Sequence, residues 1–243
     1  MKRHSPMRSG FTWIAASAAL AAGAYAAWVA AAWYGYGRTR PPSSEESDSL
    51  LDLFMPVYDV RGRHAIRVAA PAATTMAAAR EMELLRSPVV RAVIRAREVI
   101  LGAMPDDRPR PRGLLAETQA MGWGVLADVP DHEVVVGAVT RPWEANVVFR
   151  ALPPDEFAAF DEPGYAKIVW TLRADPLGPG ASLFSTETRV AATDPAARAR
   201  FRLYWSCFSP GMLLIRWLSL GPVRAEAERR ARRLQSRRPA SIG

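Results

Sequence analysis

One cysteine, Cys207, and three histidines, His4, His64 and His132, are all the thiol and imidazole metal ligands in this 243-residue chain. A lone cysteine forms no intrachain disulfide, so cysteine usage does not reveal the redox compartment. The histidines are far apart in sequence and no CxxC or HExxH spacing occurs, so neither zinc-finger nor zincin chemistry is indicated. Gly178-Pro179-Gly180 is turn chemistry and does not match a phosphate loop. Cys207 has no histidine near it in sequence and lies beside Phe208, the setting of a buried, inert thiol. Asp131-His132-Glu133 falls at a turn and is expected as a solvated hairpin tip. Asp161-Glu162 near Tyr165 is a loop acid pair without a visible perturbing partner, which is thin ground for acid–base chemistry. No cofactor or catalytic residue is indicated.

Charge is missing altogether from residues 11–33, between Lys2, Arg3 and Arg8 on one side and Arg38 and Arg40 on the other. At about 1.5 Å of rise per residue such a run is long enough to cross a hydrocarbon core. It ends in Trp28, Trp33, Tyr34 and Tyr36, residues that favour a membrane interface. The pattern therefore predicts a basic flank at 1–10, a transmembrane helix at 11–36 and a linker at 37–56. The alternative is a signal peptide cleaved within Ala30-Ala31-Ala32, although its apolar segment is usually only about 7–15 residues long. The slight excess of basic residues before the run favours a single-pass anchor with an extracytoplasmic domain.

The net charge of +8 is concentrated in the anchor flanks and in Arg229-Arg230-Ala231-Arg232-Arg233 with Arg237 and Arg238. A basic tail of this kind is a solvated helix end or an electrostatic tether to anionic lipid, so no nucleic-acid partner is assigned. The whole chain is 49% hydrophobic and 23% charged, normal for a folded protein; we place the domain at 57–234 with a disordered tail at 235–243.

Within the domain, residues 58–68 alternate as a strand and Pro71 opens a helix over 72–82. Ser87-Pro88 caps a second helix that Gly102 ends. After a proline-rich loop at 104–113, short strands are expected at 114–118, 123–129, 133–141 and 145–151, then a loop with a helical turn at 156–160. Strands at 165–174 and 181–191 form a hairpin around a glycine and proline cluster that neither strand is expected to contain. Asp194 and Pro195 start a terminal helix, which Ser209-Pro210-Gly211 is expected to kink or interrupt.

One strand, two helices, a run of antiparallel strands and a long last helix resemble the helix-grip fold of the START-like superfamily, also called SRPBCC or the polyketide cyclase and lipid-transport group. Three segments carry the resemblance: Arg67-Val68-Ala69-Ala70-Pro71, Ser185-Thr186-Glu187-Thr188-Arg189-Val190, and Thr193-Asp194-Pro195 leading into Phe201-Arg202-Leu203-Tyr204-Trp205. It spans about Tyr58 to Arg233, and this branch resembles uncharacterised bacterial members. It departs in the N-terminal apolar run and in the proline-glycine break of the last helix. The fold class it implies is α+β: a curved antiparallel sheet of about seven strands around a long C-terminal helix, preceded here by the transmembrane helix.

A curved sheet gripping one helix tends to leave an apolar cavity, and such cavities take hydrophobic ligands. The residues expected to line it are Trp170, in phase with Ile168 and Leu172; Tyr204, Trp205 and Phe208 on one helix face; and Trp123 and Trp143 near strand ends. Each of these is also an ordinary core residue in kind. Glu187 and Arg189 share one strand face, opposite Thr186 and Thr188, and Arg141 sits on a neighbouring strand; turned inward, such charges need a partner or a ligand. The expected function is membrane-tethered binding of a hydrophobic small molecule or lipid. The alternatives are a cyclase- or dehydratase-like enzyme acting on an aromatic or polyketide-like substrate, and a ligand-free interaction module at the membrane.

Overall fold

The computed structural model describes residues 6–39, 43, 46–104 and 111–236. The extreme N-terminus with Lys2, Arg3 and His4, parts of the spacer and of the proline-rich loop, and Arg237 and Arg238 lie outside them. In chain order the elements are α1 (Pro6–Gly35), α2 (Ser49–Phe54), β1 (Val60–Val68), α3 (Ala72–Glu81), α4 (Pro88–Leu101), α5 (Leu114–Ala120), β2 (Gly124–Val129), β3 (Glu133–Thr140), β4 (Phe149–Arg150), α6 (Pro154–Ala159), β5 (Ala166–Gly178), β6 (Ala181–Ala192) and α7 (Pro195–Ser236).

Local chemistry explains most of the boundaries. The Val90 amide donates to Ser87 Oγ at 3.4 Å with Pro88 in the first turn of α4, and Gly102 closes that helix at φ 69°, where an L side chain is strained. The Ala196 and Ala197 amides donate to Asp194 Oδ1 at 2.7 and 3.1 Å at the start of α7. Asp48 does the same for Leu51 at 2.9 Å and starts α2.

The strands form one antiparallel sheet in the order β1-β6-β5-β3-β2, with β4 paired to β3. Successive side chains alternate between its two faces, and both faces are covered. On one face Val68, Val136, Leu172 and Phe184 pack under Met76 of α3 and under Leu220, Val223 and Ala227 of α7. Farther along the same face Val60, Ala166 and Val190 meet Phe201 and Tyr204. On the other face Val135, Val139 and Val169 lie under Leu51, Phe54 and Met55 and under Phe157 of α6.

Several expectations are corrected. Residues 114–118 form the start of α5 and no strand, since Leu-Leu-Ala-Glu is built of strong helix formers and Gly113 at φ 96° breaks the chain just before it. That leaves six strands where about seven were expected. β5 runs through Pro176 to Gly178, because a register shift there absorbs the residue that cannot donate to the ladder. α7 is continuous over 42 residues with Pro210 and Pro222 inside it, so the Ser209-Pro210-Gly211 break does not interrupt it; packing on both sides holds the helix through the lost hydrogen bond. Gly211 permits that packing, as a Cβ there would stand 2.7 Å from Val93 Cγ1 of α4. The 37–56 segment, expected as linker, contains α2, whose Leu51 is wholly buried.

Of the expected 11–36 helix, residues 11–35 lie within α1 and Tyr36 falls in the turn after it, but among the described residues no helix is long and apolar enough to cross a membrane. The second half of α1 instead runs against α7. Tyr25 Oη donates to the Cys207 carbonyl at 2.7 Å and Trp28 Nε1 to Ser209 Oγ at 3.0 Å. Arg202 donates to the Trp33 carbonyl at 2.9 Å, with its guanidinium 4.2 Å from that ring's centre.

Candidate functional site

The α7-facing side of the sheet is filled at both ends and incompletely covered in the middle. Alternation places Gly62, His64, Ile66, Thr186, Thr188, Ile168 and Trp170 there, in phase with Val60, Val68, Val190 and Phe184 of the two core clusters. Ile66, Ile168 and Trp170 remain only half-buried. Thr188 has Gly62 and Trp170 as its cross-strand neighbours, so these three form a row across β1, β6 and β5; His64 pairs with Thr186 one step along.

Two unmet polar groups lie in this patch, and two more, Glu133 Oε1 and Arg189 Nη2, on the opposite face. Thr188 is 7% exposed and its Oγ1 has no hydrogen-bond partner, and the buried Nδ1 of His64 has none either. Such groups are uncommon in folded interiors, where burial without a partner costs about 1–3 kcal/mol each. Above them α7 brings Leu213 and Arg216 to ordinary contact distance of the space over Gly62. Arg216 Nη1 reaches the Gly62 carbonyl at 3.4 Å, a long bond for a charged donor. Burial lowers the His64 pKa, and the Arg216 charge lowers it further, keeping the imidazole neutral. Burial also pushes the Arg216 guanidinium down to about 10, still charged at neutral pH.

Trp123 and Trp170, both expected in the cavity, do come together. Their ring centres are 6.4 Å apart edge to face, and Phe149 lies 4.8 Å from Trp123. Tyr204 and Phe208 stack at 5.0 Å, and Phe201 stacks on Trp205 at 6.0 Å. Trp143 packs against the same cluster. This second group closes one end of the sheet, and the Tyr204 hydroxyl accepts from Arg97 Nε at 3.1 Å. Trp205 also borders a mostly polar pocket of about 350 Å³ at the edge of the sheet, with Tyr36, Asp59, Arg61 and Arg63. A shallow concavity of about 470 Å³ lies between α3 and the end of α7, beside Ala77, Arg230 and Leu234. Neither is the single apolar hollow expected between sheet and helix. Leu220, Val223, Ala227 and Ala231 fill that interval beyond Arg216.

The remaining candidates lie elsewhere. Arg141 belongs to a loop corner, where it donates to the Gly164 carbonyl at 3.1 Å and lies 4.3 Å over the Tyr165 ring. Glu187 and Arg189 point to the opposite face, beneath α2, and are neither solvated nor in the α7 groove. Arg61 bonds both Glu187 carboxylate oxygens at 2.8 Å, and Arg189 Nε bonds Oε1 at 2.8 Å. Arg189 also donates to Asp52 and, at 2.9 Å, to the Met55 carbonyl, with Tyr58 stacked 4.7 Å away. Glu133, expected at a solvated tip, is 2% exposed on that same face. Burial, and next a hydrogen bond with Asp48, push its pKa up to about 8. Sequence could not show this because α2 is formed by a segment that reads as a spacer. Among the described residues no group of three or more His, Cys, Asp or Glu could hold a metal ion.

His64 and Arg216 are the groove residues that sequence reasoning missed. His64 was in phase with Val60, Ile66 and Val68 on β1, and Arg216 is the one charge between Cys207 and Val223. Those two signals were available; their meeting across α7 and β1 was not.

The site is thus set in an α+β arrangement, an antiparallel sheet laid on one long C-terminal helix with short helices after the first strand. Similar solved structures include a hypothetical protein from Helicobacter pylori, 8% identical, which covers 78% of this chain and 99% of its own with a TM-score of 0.36. A START superfamily protein from Mycobacterium smegmatis is 15% identical, covers 72% of this chain and 98% of its own, and has a TM-score of 0.29. The Zhui aromatase/cyclase from Streptomyces sp. R1128 is 15% identical, covers 70% and 94%, and has a TM-score of 0.22. No protein-family model matches the chain, nor does any curated protein.

Proposed function

We propose that this chain binds a hydrophobic small molecule or lipid in the groove between the middle of α7 and the sheet, against Trp170 and Ile168. One contrast carries the proposal. The face under α2 and α6 is closed by packed side chains and its Glu187 and Arg189 charges are paired, although Glu133 Oε1 and Arg189 Nη2 lack partners there; the α7 face keeps Ile66, Ile168 and Trp170 half-buried beside the unpartnered Thr188 Oγ1 and His64 Nδ1. A bound molecule would cover the first and satisfy the second. The test is mass analysis of organic extracts of the purified full-length chain, followed by titration of the extracted compound into wild type and Trp170→Ala. Reproducible recovery, with at least about tenfold weaker binding in the variant, is expected from losing an aromatic contact surface. Empty extracts and no binding of long-chain probes would refute the groove.

The membrane part of the proposal rests on the uncharged run at 11–33 and on Trp13 and Leu20 of α1, each 75% exposed. α1 would hold the groove near the bilayer that supplies its cargo. Recovery of the full chain in the soluble fraction of cells, without detergent, would remove this part and leave the groove standing.

A catalytic reading has one observation in its favour. The neutral His64 imidazole has an open Nδ1 in the same groove as Arg216, a pair suited to proton transfer beside a polarised oxygen. It requires turnover of the extracted compound, lost in His64→Gln with binding retained.

A further inference from the structure

Arg216 is an unusual charge in its surroundings. It is the only ionisable residue in a stretch of α7 that otherwise reads Phe-Ser-Pro-Gly-Met-Leu-Leu-Ile before it and Trp-Leu-Ser-Leu after it. Among the described residues the one hydrogen bond of its guanidinium is the 3.4 Å bond to the Gly62 carbonyl, and no carboxylate pairs with it. Glu187, the acidic residue whose field it feels, faces the opposite side of the sheet and is engaged by Arg61 and Arg189. A mostly buried guanidinium without an anion is costly, and the ordinary remedy is a partner that brings one.

The groups around it suit such a partner. Arg216 lies over Gly62, Thr188 is one strand further along the row and Trp170 two strands. At the usual strand spacing Trp170 is thus about 10 Å from Gly62 across the sheet. The unpartnered, nine-tenths-buried Thr188 hydroxyl lies between them, and the open Nδ1 of His64 is on the adjoining pair. One end of the groove therefore offers a forked cation, a hydroxyl donor and an imidazole, and the other offers apolar surface. With His64 neutral the site carries a single positive charge. It balances a carboxylate, and leaves a phosphomonoester, which carries nearly two negative charges at neutral pH, in excess.

We infer that Arg216, Thr188 and His64 form the headgroup site for a monoanionic carboxylate amphiphile, such as a long-chain fatty acid, whose apolar body lies toward Ile168 and Trp170. The carboxylate accepts two N–H bonds from the Arg216 fork and one O–H bond from Thr188, and it selects the His64 tautomer with the proton on Nδ1. This inference rests on the groove proposed above and specifies its ligand.

The test uses the purified full-length chain at pH 7.5 with three probes of equal chain length: oleate, oleyl alcohol and oleyl phosphate. Oleate is expected to bind at least about tenfold more tightly than the alcohol, the scale of one charge-assisted contact in a desolvated site. Arg216→Gln should reduce oleate to the affinity of the alcohol and leave the alcohol unchanged. Arg216→Lys should recover part of the difference, since it restores the charge without the fork. Equal binding of oleate and alcohol to wild type overturns the headgroup site while the hydrophobic groove stands. Tighter binding of oleyl phosphate than of oleate overturns the carboxylate assignment. Binding of none of the probes overturns both the headgroup site and the groove. Should Arg216→Gln fail to fold, the wild-type ratio and Thr188→Val decide: the latter is expected to weaken oleate several-fold and spare the alcohol.

Discussion

Glu187 and Arg189, two residues apart on β6, are joined by a 2.8 Å bond on the face of the sheet that α2 closes. Neither is more than 2% exposed, and every strong contact they make holds another element in place. Arg61 ties Glu187 to β1, and Asp52 with the Met55 carbonyl ties Arg189 to α2. The pair is a structural clamp, in contrast to the unpaired Arg216 across the sheet.

Removing one partner of that clamp should be far more damaging than its net worth. Glu187→Ala leaves Arg189 buried beside an empty position, and loss of about 3–5 kcal/mol is expected. Urea unfolding of the full chain checks it; a loss below about 1 kcal/mol would show that water or relaxation rescues the site.

Glu133 predicts a pH dependence with a definite sign. Its folded pKa, near 8, lies above the ordinary glutamate value, so the folded state holds the proton more tightly than the unfolded chain. Stability from this group is complete below about pH 4.3 and declines as the pH rises toward 8, where the buried carboxyl must ionise next to Asp48. Glu133→Gln should match wild type at low pH and exceed it by at least about 1 kcal/mol above pH 8. Parallel stability curves for the two proteins between pH 4 and 9 would contradict this.

Asp194 works in the opposite sense. Its carboxylate accepts the Gly164, Ala196 and Ala197 amides, which depress its pKa. The stability it contributes is present above the unfolded value near 3.9 and is lost as pH falls through the lower folded one. Asp194→Ala should lower Tm at pH 7, and the difference from wild type should shrink in acid; a Tm unchanged at pH 7 would show that the cap is not needed.

Gly211 tests the closeness of α7 and α4. Alanine gains helix propensity of about 1 kcal/mol, but its Cβ would stand 2.7 Å from the stiff Val93 side chain. Gly211→Ala alone should lower Tm, and Val93→Ala added to it should recover the loss. An increase in Tm for the single variant would mean that α4 yields freely.

Periodicity and capping made much of the scaffold legible. The alternation of β1 and β6, the Ser87-Pro88 and Asp194-Pro195 starts and the Gly102 stop are local signals, written within a few residues. What escaped was decided by contacts distant in sequence. Glu133 is buried because α2, some 80 residues earlier, lies over it. Leu114 to Thr118 is helical where a short apolar run had favoured a strand, a distinction that periodicity over so few residues does not make. The groove shows the same division, since Trp170 and Tyr204 were readable as inward-facing but Arg216 had no visible counterpart.

By itself the sequence determined an uncharged N-terminal helix, an antiparallel domain and a long closing helix, because turn chemistry and side-chain period act between near neighbours. Only the tertiary structure decided which face each charge occupies and whether it meets a partner. Desolvation depends on what packs above a side chain, and for Glu187, Glu133 and Arg216 that cover arrives from elements far along the chain.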